Sequence, residues 1–271
     1  LADDEPAFRE LAAECEVAFV IAPETGGWLW ERSRLATALG ARVIGPTLDA
    51  IRLCGSKAAL AHHWHGAGVR APRTGPFGAR WDTFPAVLKP DHGAGSQHTY
   101  LVNSREDVSA AYSDFHPAGK HEDEMVFTEF VPGRAASVAF LCGPNGSVPL
   151  APAFQHLGTD GRFGYRGGEL PIPPDLAARA TALARAATAC VPGLCGYAGV
   201  DLVLGAADDG SDDCAIEINP RLTTSYVGLR ALADFNIAGA MLKVALGEPV
   251  PEPRWRSGRV AFGANGTATR A

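Results

Sequence analysis

Two short apolar segments, Gly199-Val200-Asp201-Leu202-Val203 and Ala215-Ile216-Glu217-Ile218-Asn219-Pro220-Arg221, carry acids where a buried strand ordinarily carries none. Side chains alternate with period two along an extended strand, so Glu217 and Asn219 share a face, and Asp201 on a neighbouring strand can face them. Two carboxylates and one amide oxygen are hard oxygen ligands, few enough to leave Mg2+ open to water and phosphate oxygens. The competing explanation is a sheet with a polar face salt-bridged to Arg221. Either way, the chain must fold around a strand pair whose one face is polar.

Other segments supply a matching cation. Lys89 closes a short apolar strand, 86–89, and is followed by Pro90 and the glycine turn His92-Gly93-Ala94-Gly95-Ser96 before a second strand, 99–102. An ammonium there can pair with phosphate oxygens, while small residues let backbone N–H groups approach closely. The turn is not a Walker A loop, because no Gly-Lys-Ser/Thr follows at the required spacing, and it also fits an ordinary hairpin. Lysine is scarce: Lys57, Lys89, Lys120 and Lys243 stand against 20 arginines. Lys57 opens a helix expected over 56–66 and fits either a solvated helix start or a ligand.

The remaining pattern is mixed. Strand, helix and strand are expected at 17–22, 28–39 and 41–44, the trailing part of a parallel unit. Strands are expected at 125–130, 137–141, 197–204 and 214–218, and helices at 174–189 and 227–246, the last ended by Gly247 and Pro249. The acidic turn 207–213 reads as a solvated loop in preference to a calcium site. His62, His63 and His65 read as a surface patch, since no third ligand lies nearby.

In order, Ser56-Lys57 with its helix, Val87-Leu88-Lys89-Pro90 with the glycine loop, Thr128-Glu129-Phe130-Val131-Pro132-Gly133, Gly199-Val200-Asp201 and Glu217-Ile218-Asn219-Pro220-Arg221 resemble the ATP-grasp superfamily. Ala22-Pro23-Glu24-Thr25, the stretch from Phe163 to Gly168 and the run from Asn219 to Tyr226 look like its small amino-acid ligases of the tyramine–glutamate type. The resemblance implies an α/β and α+β chain: a partial Rossmann-like domain at 1–47, a two-lobed ATP-grasp domain at 48–250 and a C-terminal extension at 251–271. It also implies ATP between the lobes, with Lys57 and Lys89 on its phosphates and the loop carrying His92, Gly93, Gly95 and Ser96 closing over them. Thr128, Glu129 and Val131 would meet adenine. Asp201, Glu217 and Asn219 would hold Mg2+, with Mn2+ as a substitute, and Arg166 and Arg221 would stabilise the phosphoryl group or bind a carboxylate. Many relatives carry a ribose-binding glutamate after the hinge. Here Arg134-Ala135-Ala136-Ser137 leaves Ser137 or water for that task.

The reaction implied is ligation of a carboxylate to an amine through an acyl phosphate, with glutamate and an aryl amine as first candidates. It needs no protein nucleophile, and no Gly-x-Ser-x-Gly elbow or Cys/His signature occurs. The alternatives are a nucleotide-binding module with degraded catalysis, and a dinucleotide-dependent oxidoreductase, which lacks the Gly-x-Gly-x-x-Gly turn. A net charge of −6 gives no global attraction to nucleic acid or anionic membranes. Six scattered cysteines without a CxxC pair fit reduced cytoplasmic thiols. Small-molecule partners are therefore expected, with neither nucleic acid nor membrane, and a homodimer is allowed. The sequence opens without methionine in an acidic stretch, which suggests a missing natural start.

Overall fold

A computed structural model describes residues 5–115, 125–249 and 252–270; Lys120, the opening residues 1–4 and the boundary at 250–251 lie outside these. The chain opens with α1 (Glu5–Glu14), β1 (Val17–Ala18), α2 (Trp28–Ala38) and β2 (Arg42–Val43), with β1 and β2 paired in parallel. The strand, helix and strand order is as expected, but each strand is only two residues long, and the expected strand 17–22 ends at Ala18. Two helices follow, α3 (Leu48–Gly55) and α4 (Lys57–Gly66). Thr47 caps the first by accepting from Ala50 N, and Ser56 caps the second by accepting from Ala59 N.

The first of two larger sheets contains β3 (Thr74–Pro76), β4 (Ala86–Pro90), β5 (Tyr100–Val102) and β6 (Met125–Glu129) in the order β3-β6-β4-β5, all antiparallel. Period-two alternation divides it. Ala86, Leu88, Tyr100, Val102, Met125 and Phe127 face a small core with Ala111 of α5 (Arg105–Phe115), whereas Val87, Lys89 and Thr128 face the opposite way.

The second sheet contains β7 (Arg134–Gly143), β8 (Gly146–Pro149), β9 (Ala153–Leu157), β10 (Tyr165–Leu170), β11 (Gly196–Leu204), β12 (Cys214–Asn219), β13 (Val260–Gly263) and β14 (Ala268–Arg270). The order is β12-β11-β7-β9-β10-β13-β14, with β8 on β7. On one face Ala136, Val138, Phe140, Ala198, Val200 and Leu202 pack against α6 (Pro174–Ala189) and α4, where Trp64 Nε1 donates to Ala187 O at 3.0 Å. On the other, Ala139, Leu141 and Tyr197 pack under α7 (Ser225–Leu232) and α8 (Ile237–Ala245). The segment expected as an extension supplies β13 and β14.

The single helix expected over 227–246 is two helices. Asn236 takes the N-cap of α8, accepting from Gly239 N at 3.0 Å, while Asp234 N donates to Arg254 O and Ala233 bridges Trp255. A capping side chain and a cross-chain backbone bond together outcompete helix continuation at 233–236. Among the described residues the cysteines are free thiols, and no helix is long and apolar enough to cross a membrane.

The acidic turn is not wholly solvated. Asp213, 4% exposed, accepts from Arg179 of α6 at 2.5 and 3.0 Å and from Gly205 N at 2.9 Å, pinning the β11–β12 turn to α6. Removing Asp213 loses these bonds and leaves Gly205 N without its partner, while the partly exposed Arg179 keeps access to water. Asp213→Ala is expected to lower unfolding free energy by roughly 2 kcal/mol, the scale of lost hydrogen bonds to a charged group, whereas Asp209→Ala, exposed in the same turn, should leave it little changed. Urea denaturation of the two variants checks this, and equal losses would contradict the pinning role.

Candidate active site

The polar faces of the two sheets enclose one cleft of about 280 Å³. From the first sheet come Val87, Lys89 and Thr128; from the second come Ser137, Gln155, Tyr165, Asp201, Glu217 and Asn219. The connecting segment between β6 and β7 lines it with Glu129, Phe130 and Val131. Gly133 ends that segment with φ 153°, and a Cβ there would collide with the Leu204 carbonyl and lie 2.6 Å from Val203 Cγ1. Glycine therefore lets the connector lie directly on β11.

Pairing in the second sheet fixes the acids. Asp201 stands opposite Glu217 on β12 and opposite Ser137 on β7, while Asn219 stands opposite Gly199. A Cβ at Gly199 would be 2.6 Å from Thr223 Cγ2, so this glycine lets the segment after Arg221 close over the sheet. Gln155 Nε2 donates to Asp201 Oδ1 at 2.8 Å, and Asn219 Nδ2 donates to Asp201 Oδ2 at 3.0 Å and Glu217 Oε1 at 3.4 Å. Burial raises the Asp201 carboxyl well above its ordinary range, and the Glu217 charge beside it raises it further. Burial also pushes Glu217 up, but the ammonium groups of Lys57 and Lys89 outweigh that and hold it below its ordinary value. A buried, mutually repelling carboxylate pair beside an amide is a donor set suited to a hard divalent cation.

The cations come from the other wall. Lys57, first residue of α4, donates Nζ to Asp91 O at 3.3 Å and Gly93 O at 3.1 Å, and lies 3.7 Å from Glu217 Oε2. Lys89, 8% exposed, is brought down to about 8 by burial and by the neighbouring Lys57 charge, against the pull of Glu217, Asp201 and Asp91. Gly93, Gly95 and Ser96 line the cleft, and the turn holds three left-handed backbones, at Gly95, Ser96 and His98.

Two expected site residues lie outside the cleft lining. His92 points away, its side chain 55% exposed and its Nε2 3.4 Å from Asp91 Oδ2. Arg166 is exposed: Tyr165 takes the cleft side of β10, and Arg166 is the extra residue of a bulge between Tyr165 and Gly167, left without a pairing partner on β9. The stretch beginning at Tyr165 is this strand. Arg221 does line the cleft, but its guanidinium is committed: Nε and Nη2 bind Glu24 Oε2 at 3.0 and 2.9 Å, Nη2 donates to Asn219 Oδ1 at 3.1 Å, and Nη1 donates to Leu222 O at 3.2 Å. It thus bridges Glu24 to the amide and makes no direct pair with either acid in these contacts. Burial raises the Glu24 carboxyl even with Arg221 beside it. The sequence reading missed Gln155, Asp91 and the Glu24 contact. No local signal marks Gln155, since β9 has no strong alternation, and the other two are contacts across 33 or more residues.

Two antiparallel sheets closing on a cleft, with ammonium groups on one wall and metal-type oxygens on the other, define a nucleotide-binding α+β fold of the grasp class. The chain belongs to the ATP-grasp family: residues 54–225 match its ATP-grasp domain model, and residues 2–51 match the pre ATP-grasp 3 domain. It is 27% identical to the tyramine–L-glutamate ligase of Methanocaldococcus jannaschii, over 83% of this chain and 63% of that protein's length. It is 26% identical to a D-alanine–D-alanine ligase of Pseudomonas putida over 55% of this chain and 48% of that one. In fold it is similar to an ATP-grasp superfamily protein from Archaeoglobus fulgidus, with a TM-score of 0.70, 23% identity and coverage of 95% of this chain and 73% of that one.

Burial of Lys89 has a measurable cost. Its folded value near 8 lies below the unfolded lysine value of about 10.4, so the unfolded state binds more protons between these limits and stability rises with pH across them. Below pH 8 the penalty is fully present and amounts to roughly 3 kcal/mol, because each pH unit separating the folded and unfolded values is worth about 1.4 kcal/mol. Stability of the nucleotide-free protein should therefore rise between about pH 8 and 10, and Lys89→Met should remove that rise. Urea unfolding of both proteins over this range checks it, and the same pH dependence in both would contradict the assignment.

Proposed function

We propose that this cleft carries out ATP-dependent ligation of a carboxylate to an amine, through an acyl phosphate and with Mg2+. The observation that carries the reading is the opposition of Lys57 and Lys89 to Asp201, Glu217 and Asn219 across one cavity. Ammonium groups pair with phosphate oxygens, and the two acids would hold the metal, joined by the Asn219 amide on turning its oxygen, which here accepts from Arg221, toward them. Mg2+, when bound, supplies neutralisation of phosphate charge. Gln155 and Arg221 orient the metal-type oxygens, Gln155 through Asp201 and Arg221 through Asn219. The apolar part of the cleft, with Val87, Phe130, Val131 and Leu202, suits a nucleobase. Glu129 N–H is already spent on Arg73 O, so a base contact at Glu129 would use its carbonyl. Ser137, buried on β7 and lining the cleft, is the ribose candidate.

The substrate reading is finer. The relative named above joins tyramine and L-glutamate, and here Tyr165, Thr223, Thr224 and Ser225 extend the cleft beyond the acids. An amino acid as the activated carboxylate and an arylalkyl amine as acceptor fit that mixed wall of one phenol and three hydroxyls. Arg221 contributes by bracing Asn219, since its donors are engaged, and Arg166 lies outside the cleft lining.

Incubation of the protein with ATP, Mg2+ or Mn2+, and pools of amino acids and amines should give ADP, phosphate and a new amide mass. Glu217→Gln and Asn219→Ala should each abolish turnover per folded molecule, a loss far larger than any fall in melting temperature in metal-free buffer explains. AMP and pyrophosphate as products would overturn the acyl-phosphate reading. ADP with another acid–amine pair would overturn only the substrates.

A further inference from the structure

Asp91 follows Lys89-Pro90 at the start of the glycine turn, and an acid is an unexpected neighbour for an anion-binding loop. Its carboxylate does not face the cleft cations freely. Oδ2 accepts from Ser56 Oγ at 2.6 Å and Oδ1 accepts from Ala58 N at 2.8 Å, both at the first turn of α4. The contact is returned: Lys57 N donates to Asp91 O at 3.2 Å, and Lys57 Nζ donates to Asp91 O and Gly93 O. His92 Nε2 lies 3.4 Å from the same Oδ2. Five hydrogen bonds thus tie the turn to the start of α4, across 33 to 36 positions of chain.

The contact has two physical consequences. Asp91 satisfies an α4 N–H that Ser56 leaves unpaired, Ser56 being engaged with Ala59, and its negative charge suits the positive end of the helix. It also joins the two elements that carry the lysines, because Lys57 begins α4 and Lys89 precedes the turn by two residues. Two like charges placed near each other repel, and Asp91 is among the groups that favour the charged form of Lys89. The spacing of two ammonium groups is what a polyphosphate recognises.

We propose that Asp91 is a positioning residue for phosphate recognition: by clamping the glycine turn to the first turn of α4, it sets Lys57 and Lys89 at the spacing that a nucleoside triphosphate requires. The proposal rests on the nucleotide reading above and deepens it. Asp91 itself touches no phosphate. It acts through the two lysines, so its loss should weaken phosphate recognition while base recognition by the Phe130–Val131 side of the cleft persists.

The test is calorimetric binding of ATP, ADP and adenosine, each with Mg2+, to the wild type, Asp91→Ala, Asp91→Asn and Ser56→Ala. Asp91→Ala should lose roughly tenfold in ATP affinity with adenosine affinity unchanged. Asp91→Asn keeps one acceptor oxygen and should recover part of the loss, and Ser56→Ala should lose less than Asp91→Ala. Should Asp91→Ala not fold, the other two variants carry the comparison. Unchanged ATP affinity in Asp91→Ala, or in both other variants where it does not fold, overturns the positioning role. So does an equal loss for ATP and adenosine, which marks a purely structural residue. A wild type that binds none of the three ligands overturns the nucleotide reading itself, and the positioning role with it.

Discussion

Four charged side chains meet in the cleft, and their mutual neutralisation is the condition on which the site's architecture depends. Glu217 stays below its ordinary carboxyl value because Lys57 and Lys89 stand against it, and Lys57 lies 3.7 Å away. Without the ammonium groups, Asp201 and Glu217 would be a directly opposed pair of buried acids. Without the acids, Lys57 and Lys89 would repel across a desolvated gap. The lysines arrive from α4 and the first sheet, and the acids from the second. The first sheet turns one face to its own core, and the second is apolar on one face and beneath α7 and α8 on the other, so the two meet where each carries its polar side chains.

This arrangement costs stability that the surrounding structure must offset. The opposite face of the second sheet supplies a continuous core with α6 and α4, where Phe140, Val200 and Leu202 are buried. The cleft face is apolar only beneath α7 and α8, where Leu141 and Tyr197 are fully buried. Polar residues on that face gather at the cleft, where Asp201 is braced by Gln155 and Asn219 by Arg221, itself held by Glu24. The last bond reaches from the N-terminal unit across 197 residues, so that unit helps order the metal-type oxygens.

Much of this was legible in the sequence where period-two alternation and a punctuating residue coincide. Glu217 and Asn219 share a face, Lys89 ends its strand before the glycine turn, and the order of those motifs identified the family. Legibility failed where a local pattern was overridden by a partner distant in sequence. The helix expected over 227–246 breaks because Asn236 caps and Asp234 binds Arg254. Tyr165 and Arg166 looked alike in a glycine-rich stretch, yet Tyr165 pairs with β9 and lines the cleft, whereas Arg166 falls at the bulge and is exposed. Arg221 read as an available cation, and only the fold reveals that Glu24 and Asn219 occupy it. Gln155 carried no signal because a lone amide in a short strand says nothing about which acid it will meet.

The central claim is that the two walls form one site for a magnesium-bound adenine nucleotide. Isothermal titration of the protein with ATP, with and without Mg2+, tests it most directly, with NADH as the comparison ligand. The account predicts a single ATP site whose affinity rises when Mg2+ is present, competed by ADP and not by NADH. ATP binding that is absent, or that Mg2+ leaves unchanged, would contradict it.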